Sequence, residues 1–103
     1  MYNLEYLPIA RQDMIEIVQY ISRELGNPLA ADRLATELIE AGDGIPTFPY
    51  ANPPYTPIRP LKHEYRKLLV RNYYMFYWVD EDKKMVTIAR VVYAKRAFDR
   101  LLW

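Results

Sequence analysis

The stretch YRKLLVRNYYMFYWVDEDKKMVTIARVVY, residues 65–93, decides the fold. It holds three apolar runs rich in aromatic and β-branched residues, 65–71, 73–79 and 85–93, parted by Asn72 and by the polar DEDKK at 80–84. Such side chains pack well on a pleated surface, and connections this short join neighbouring antiparallel strands. The spacing predicts a three-strand antiparallel meander. Within the first run the period of two sets Arg66, Leu68 and Val70 on one face, with Lys67, Leu69 and Arg71 on the other.

Upstream the period changes. YNLEYL (2–7) alternates and reads as a short strand. Pro8 suits a first helical turn, and Ala10, Met14, Ile17, Val18, Ile21 and Leu25 then recur at three- and four-residue spacing until Gly26. Asn27 and Pro28 form a cap and first position for a second helix, whose stripe is Ala31, Leu34, Ala35 and Leu38, with Gly42 and Gly44 expected to stop it. Two helices with so short a connection make an antiparallel hairpin. Six prolines in residues 46–60 exclude a helix or a central strand there. The expected architecture is α+β: an N-terminal strand and an antiparallel helical hairpin packed on a small antiparallel sheet, one domain over residues 1–103. A hairpin on one face leaves the other open, and function is expected on that open face.

Composition narrows the chemistry. With no cysteine there is neither a disulfide framework nor a thiol nucleophile, and the single histidine, His63, makes a histidine-built metal site and a Ser-His-Asp triad poor readings. His63 is read as a loop residue rather than a catalyst. The three glycines fit no phosphate-cradling spacing, and no cofactor is expected. The N-terminal segment lacks a signal-peptide pattern, and the longest apolar run, YYMFYWV, is far short of the ~20 residues that span a bilayer. A cytoplasmic protein without membrane contact is expected.

Net charge is +1, yet residues 1–51 carry three basic against eight acidic side chains and residues 52–103 carry eleven against five. That asymmetry points to an anionic partner for the second half, or to neutralisation between the halves within the fold. The basic set Arg66, Lys67, Arg71, Arg90, Lys95 and Arg96 lies among Tyr65, Tyr73, Tyr74, Tyr77 and Tyr93. Cations beside exposed rings suit single-stranded nucleic acid. The competing reading makes the tyrosines core and the arginines solubilising stems.

A strand, the hairpin YLPIARQDMIEIVQYISRELGNPLAADRL, the proline-bearing FPY and then EYRKLLVRNYYMFYWVDEDKKMVTIARVVYAKR together resemble the RelE/ParE toxin superfamily of bacterial type II toxin-antitoxin modules. The resemblance covers nearly the whole chain. It implies a small antiparallel sheet against an N-terminal hairpin, and a growth inhibitor neutralised by a cognate antitoxin, with operator DNA contacted only through the antitoxin. Its branches differ in chemistry. The RelE branch cleaves messenger RNA in the ribosome, with strand-borne cations stabilising a phosphorane-like charge. The ParE branch poisons DNA gyrase.

On the nuclease reading Arg66, Lys67, Arg90 and Arg96 would stabilise phosphate and transition state, and Tyr93 would be the acid. Arg71, Tyr74, Lys95 and Arg100 are expected to meet the antitoxin or the target. RelE-type chains place an arginine where this chain has Tyr74, and many relatives have a histidine in place of Tyr93. A tyrosine of pKa ~10 stays protonated at neutral pH and is a poor base. Each missing electrostatic stabiliser costs ~3–4 kcal/mol of barrier. These departures and the LGNP helix turn favour a ParE-like mode, with a RelE-like endoribonuclease as the alternative and an inactive toxin serving as a repressor partner as a third.

Overall fold

The computed structural model of the protein describes residues 1–56 and 61–95. The three predicted sheet runs form β2 (Arg66–Val70), β3 (Tyr73–Asp80) and β4 (Met85–Tyr93), an antiparallel meander. The N-terminal strand β1 (Asn3–Tyr6) adds to the free side of β4, giving the order β1-β4-β3-β2. It runs parallel to β4, with Asn3 opposite Met85 and Tyr6 opposite Ile88, so the sheet is mixed rather than antiparallel throughout. Parallel neighbours need a long crossover, and here the hairpin and the rest of the meander supply it.

Helix α1 (Pro8–Gln19) begins on its proline as read. Its last turn is a π turn, Tyr20–Glu24, closed by Leu25 N–H donating to the Tyr20 carbonyl at 3.2 Å. The extra residue in that turn rotates the apolar stripe, and Leu25, expected on the core side, is left exposed. Gly26 then takes φ +61°, where a side chain would be strained. The Asn27 side chain caps α2 (Pro28–Gly44) by accepting from Ala30 N–H at 3.2 Å. The helix does not stop at Gly42. That residue is buried inside it, because the Tyr6 hydroxyl lies where its Cβ would stand.

The hairpin packs on one sheet face, where Ala10, Leu34 and Leu38 meet Met75, Tyr77 and Ile88. The opposite face is not open. Residues from the proline-rich loop close over it, forming a second cluster of Tyr65, Phe76, Ala89 and Val92 flanked by Tyr55, Leu61 and Trp78. The loop stays there because its backbone joins the β2 edge: Tyr55 N–H donates to the Tyr65 carbonyl at 2.8 Å. In β4 the register shifts, Phe76 facing Arg90 and Tyr77 facing Ile88, so Ala89 is a bulge. The bulge flips the alternation, which is why Val86, Ile88 and then Val91 all reach the hairpin-side core. No helix among the described residues is long and apolar enough to cross a membrane.

Candidate functional site

Arg66 opens β2 with its side chain 15% exposed. One guanidinium nitrogen donates to the Asn52 carbonyl at 2.7 Å, another reaches Glu64 at 3.4 Å, and the group lies 4.9 Å over the Tyr50 ring. Tyr77, opposite Arg66 on β3, donates its hydroxyl to the Pro49 carbonyl at 2.7 Å and accepts from Asn52 Nδ2 at 3.2 Å. Burial pushes the Tyr77 phenol up, keeping it a donor. Arg66 therefore clamps the 48–55 loop to the sheet.

Lys67, the next residue, points to the opposite face. Its ammonium sits 4.7 Å from the Tyr74 ring centroid and 5.6 Å from that of Tyr55, with no carboxylate in ion-pair range among the described residues. Farther along that face His63 stacks on Trp78 at 3.8 Å with planes 4° apart, and Tyr65 meets both rings edge-on. Burial, then the Lys62 charge, holds the imidazole pKa below its ordinary value. His63 is a ring packed on a tryptophan.

Arg90 is engaged with the hairpin. Beyond Ile88 β1 has ended, and the freed edge of β4 is met by α1. The Asp13 carboxylate accepts from Arg90 at 2.8 and 2.9 Å and from Val91 N–H at 3.0 Å, the two side chains being 11% and 14% exposed. One buried acid thus balances a guanidinium and takes a strand's place for an edge amide.

Arg71, Tyr93 and Lys95 lie at the other end of the meander. Arg71 occupies the β2–β3 turn at φ 56°, and its guanidinium makes a bidentate pair with Glu37 of α2, both bonds 2.6 Å. That bond holds the Glu37 carboxyl below its usual range. The half-exposed Tyr93 ring packs 5.8 Å from Tyr73, whose phenol is pushed up by burial and by its tyrosine neighbours. Between this end of the sheet and the hairpin corner runs a groove of about 950 Å³, lined in part by Ile17, Tyr20, Leu25, Arg33, Tyr73 and Tyr93. Tyr74 is half-buried beside Phe76. Arg96 and Arg100 lie outside the described residues.

The named side chains do not share one centre. Arg66 and Lys67 face opposite ways, Arg90 turns to α1, and Tyr93 lies four residue rows from Arg66 along the strands, since Val70 and not Arg66 stands in its row. At roughly 3.3 Å per residue that is about 13 Å before the two-strand offset is added. Among the described residues no group of acids and histidine could hold a metal ion. Sequence reasoning missed Asp13 and Glu37, the partners of two of its cations. Asp13 carried a signal: an acid within the apolar stripe, three residues after Ala10 and four before Ile17, has no reason to be there unless it is paired.

A family model for the ParE toxin of type II toxin-antitoxin systems, parDE, matches residues 4–98. No curated protein sequence matches the chain at a significant level. Among solved structures the chain is similar to one of the chromosomal ParDE toxin-antitoxin system from P. aeruginosa, at 16% identity and a TM-score of 0.74, covering 92% of this chain and 98% of that one. It is also similar to a chain of the RelBE2 toxin-antitoxin complex from Mycobacterium tuberculosis (18%, TM-score 0.64, 89% and 96% covered) and of the intact E. coli RelBE complex (18%, TM-score 0.52, 93% and 100%). At such identities these likenesses show a common fold of two helices on a four-strand sheet. With its sequence matched over nearly its full length, the chain belongs to the ParE toxin family of type II toxin-antitoxin systems.

Proposed function

We propose that this chain arrests growth by poisoning DNA gyrase through surface contacts, in the cytoplasm, and that a cognate antitoxin restrains it. The observation that carries the reading is the scattering of the would-be catalytic groups: Asp13 engages Arg90, the 48–55 loop engages Arg66, and Tyr93 stands at the far end of the sheet. Transition-state stabilisation needs donors converging on one position, and the named groups among the described residues are too dispersed to supply it. Membership of the ParE family favours the gyrase branch, and structural kinship with chains of toxin-antitoxin complexes supports the antitoxin partner. The alternative, a ribosome-dependent endoribonuclease, rests on Lys67, a cation held by rings with its charge uncompensated by a carboxylate among the described residues. Inducing the chain alone in a bacterial host discriminates. Gyrase-DNA adducts and a DNA-damage response are expected; truncated messages with intact DNA would overturn the gyrase reading, and normal growth with accumulating protein would remove toxicity altogether.

A further inference from the structure

The motif FPY, residues 48–50, forms a turn after α2, and Phe48 is the most exposed aromatic ring among the described residues at 72%, with Tyr50 at 48%. The turn is nonetheless tightly held. Phe48 N–H donates to the Ile45 carbonyl and Ala51 N–H to the Phe48 carbonyl, both at 3.1 Å. Pro49, between the two rings, is buried, and its carbonyl accepts from the hydroxyl of the wholly buried Tyr77. Asn52, just beyond, is fixed by Arg66, whose guanidinium also lies against the Tyr50 ring. The Tyr50 phenol in turn meets Glu81 and Tyr2.

Order without burial is the informative combination. A turn that only connected α2 to β2 would need no seat on core groups, yet Tyr77 and Arg66 fix this one while both its rings stay largely in water. A ring ordered beforehand loses little freedom on binding, and rigid aromatic side chains are the common anchors of protein interfaces.

The surrounding charge selects the kind of partner. Arg66 meets Glu64 at 3.4 Å and Lys84 meets Glu81 at 3.2 Å. Asp82 and Lys83, in the same turn as Glu81, offset each other, and Asp43 near the end of α2 adds a negative charge. Among the described residues no excess of positive charge is left to hold phosphate, so the ring suits an apolar pocket of a protein rather than DNA.

We infer that Phe48, steadied beside Tyr50 on the Pro49 seat, is the anchor by which this chain enters an apolar pocket of the gyrase protein. The inference rests on the proposed gyrase target and names the contact that engages it.

The test measures gyrase-DNA adducts formed by the purified full chain on supercoiled plasmid, over a range of chain concentrations. Phe48→Ser is compared with Leu29→Ser, 69% exposed and roughly 22 Å along α2 from its C-terminal end. Thermal unfolding confirms that each variant folds, and binding to plasmid without gyrase is measured alongside. Loss of a central ring should raise the concentration for half-maximal adduct formation by about 30-fold or more, with Leu29→Ser within about threefold of wild type. Adduct formation by Phe48→Ser within about threefold of wild type would overturn the inference, whatever that variant does to antitoxin binding or self-association. An equal loss in Leu29→Ser would also overturn it, making exposed apolar area in general the cause. So would a loss of adducts matched by a loss of binding to plasmid alone, which would place DNA at the turn. Wild-type chain that forms no adducts removes the gyrase reading and this inference with it, an outcome read without any variant.

Discussion

Replacing Asp13 by alanine should be the most costly single change at a polar position of this fold. Its carboxylate accepts three hydrogen bonds, two from Arg90 and one from Val91 N–H, where the side chains are 11% and 14% exposed. Truncating one partner of a buried ion pair costs roughly 3–5 kcal/mol, most of it from the charge left behind. An orphaned edge amide adds to that loss within the same range. A loss near 4 kcal/mol is a large share of the 5–15 kcal/mol typical of a domain, and at about 4–8 °C per kcal/mol it lowers the melting temperature by roughly 15–30 °C. Asp13→Asn, keeping an acceptor for Val91, should lose less. Adding Arg90→Met to Asp13→Ala should restore part of the loss, because no buried charge then remains. The Asp13 bond raises the Arg90 pKa above its already high value, so that cation stays charged in both states across ordinary pH. The cost should therefore be flat between pH 6 and 9. Urea denaturation of the three variants measures all of this. A loss under about 1 kcal/mol for Asp13→Ala would refute the reasoning, since that is the scale of an exposed pair.

Three further outcomes are expected. Gly42→Ala presses a methyl group onto the Tyr6 hydroxyl and costs about 1–3 kcal/mol, while Tyr6→Phe, which deletes a buried hydroxyl without a partner, is neutral or stabilising and rescues Gly42→Ala in a double-mutant cycle. Glu37 has a carboxyl pKa lowered by Arg71, so its contribution is present above the unfolded value of about 4.5 and is lost as pH falls through the lower folded one. The stability gap between wild type and Glu37→Gln should accordingly narrow on acidification from pH 6 to 3, as followed by thermal melts; a gap that widens contradicts the pairing. Tyr93→Phe should leave growth arrest intact, because on the gyrase reading no proton leaves its hydroxyl, and a plating assay under induction reads the result directly.

Much of the fold was legible because local signals agreed: alternation in 65–93, the three-and-four spacing of the hairpin, and the Asn27–Pro28 cap. What escaped depends on contacts distant in sequence. The parallel seat of β1 is invisible in YNLEYL, whose pattern carries no partner. The π turn arises at the hairpin corner from ordinary helix formers, and it turned Leu25 outward. Proline density at 46–60 correctly excluded regular structure, yet it said nothing of Tyr55 and Leu61 lying over the second face. The candidate cations were found by type and spacing; their partners were not, because Asp13 lies 77 residues from Arg90 and Glu37 lies 34 from Arg71. Of the two readings the charge asymmetry left open, neutralisation between the halves accounts for Arg71 and Arg90, which pair with Glu37 and Asp13 of the acidic hairpin.

The most direct measurement incubates the purified chain with DNA gyrase and supercoiled plasmid, and in parallel with ribosomes translating a defined message. The account predicts accumulation of cleaved plasmid covalently bound to gyrase, abolished by antitoxin, with the message uncut. A message cut in the ribosome, with gyrase supercoiling unaffected, would contradict it.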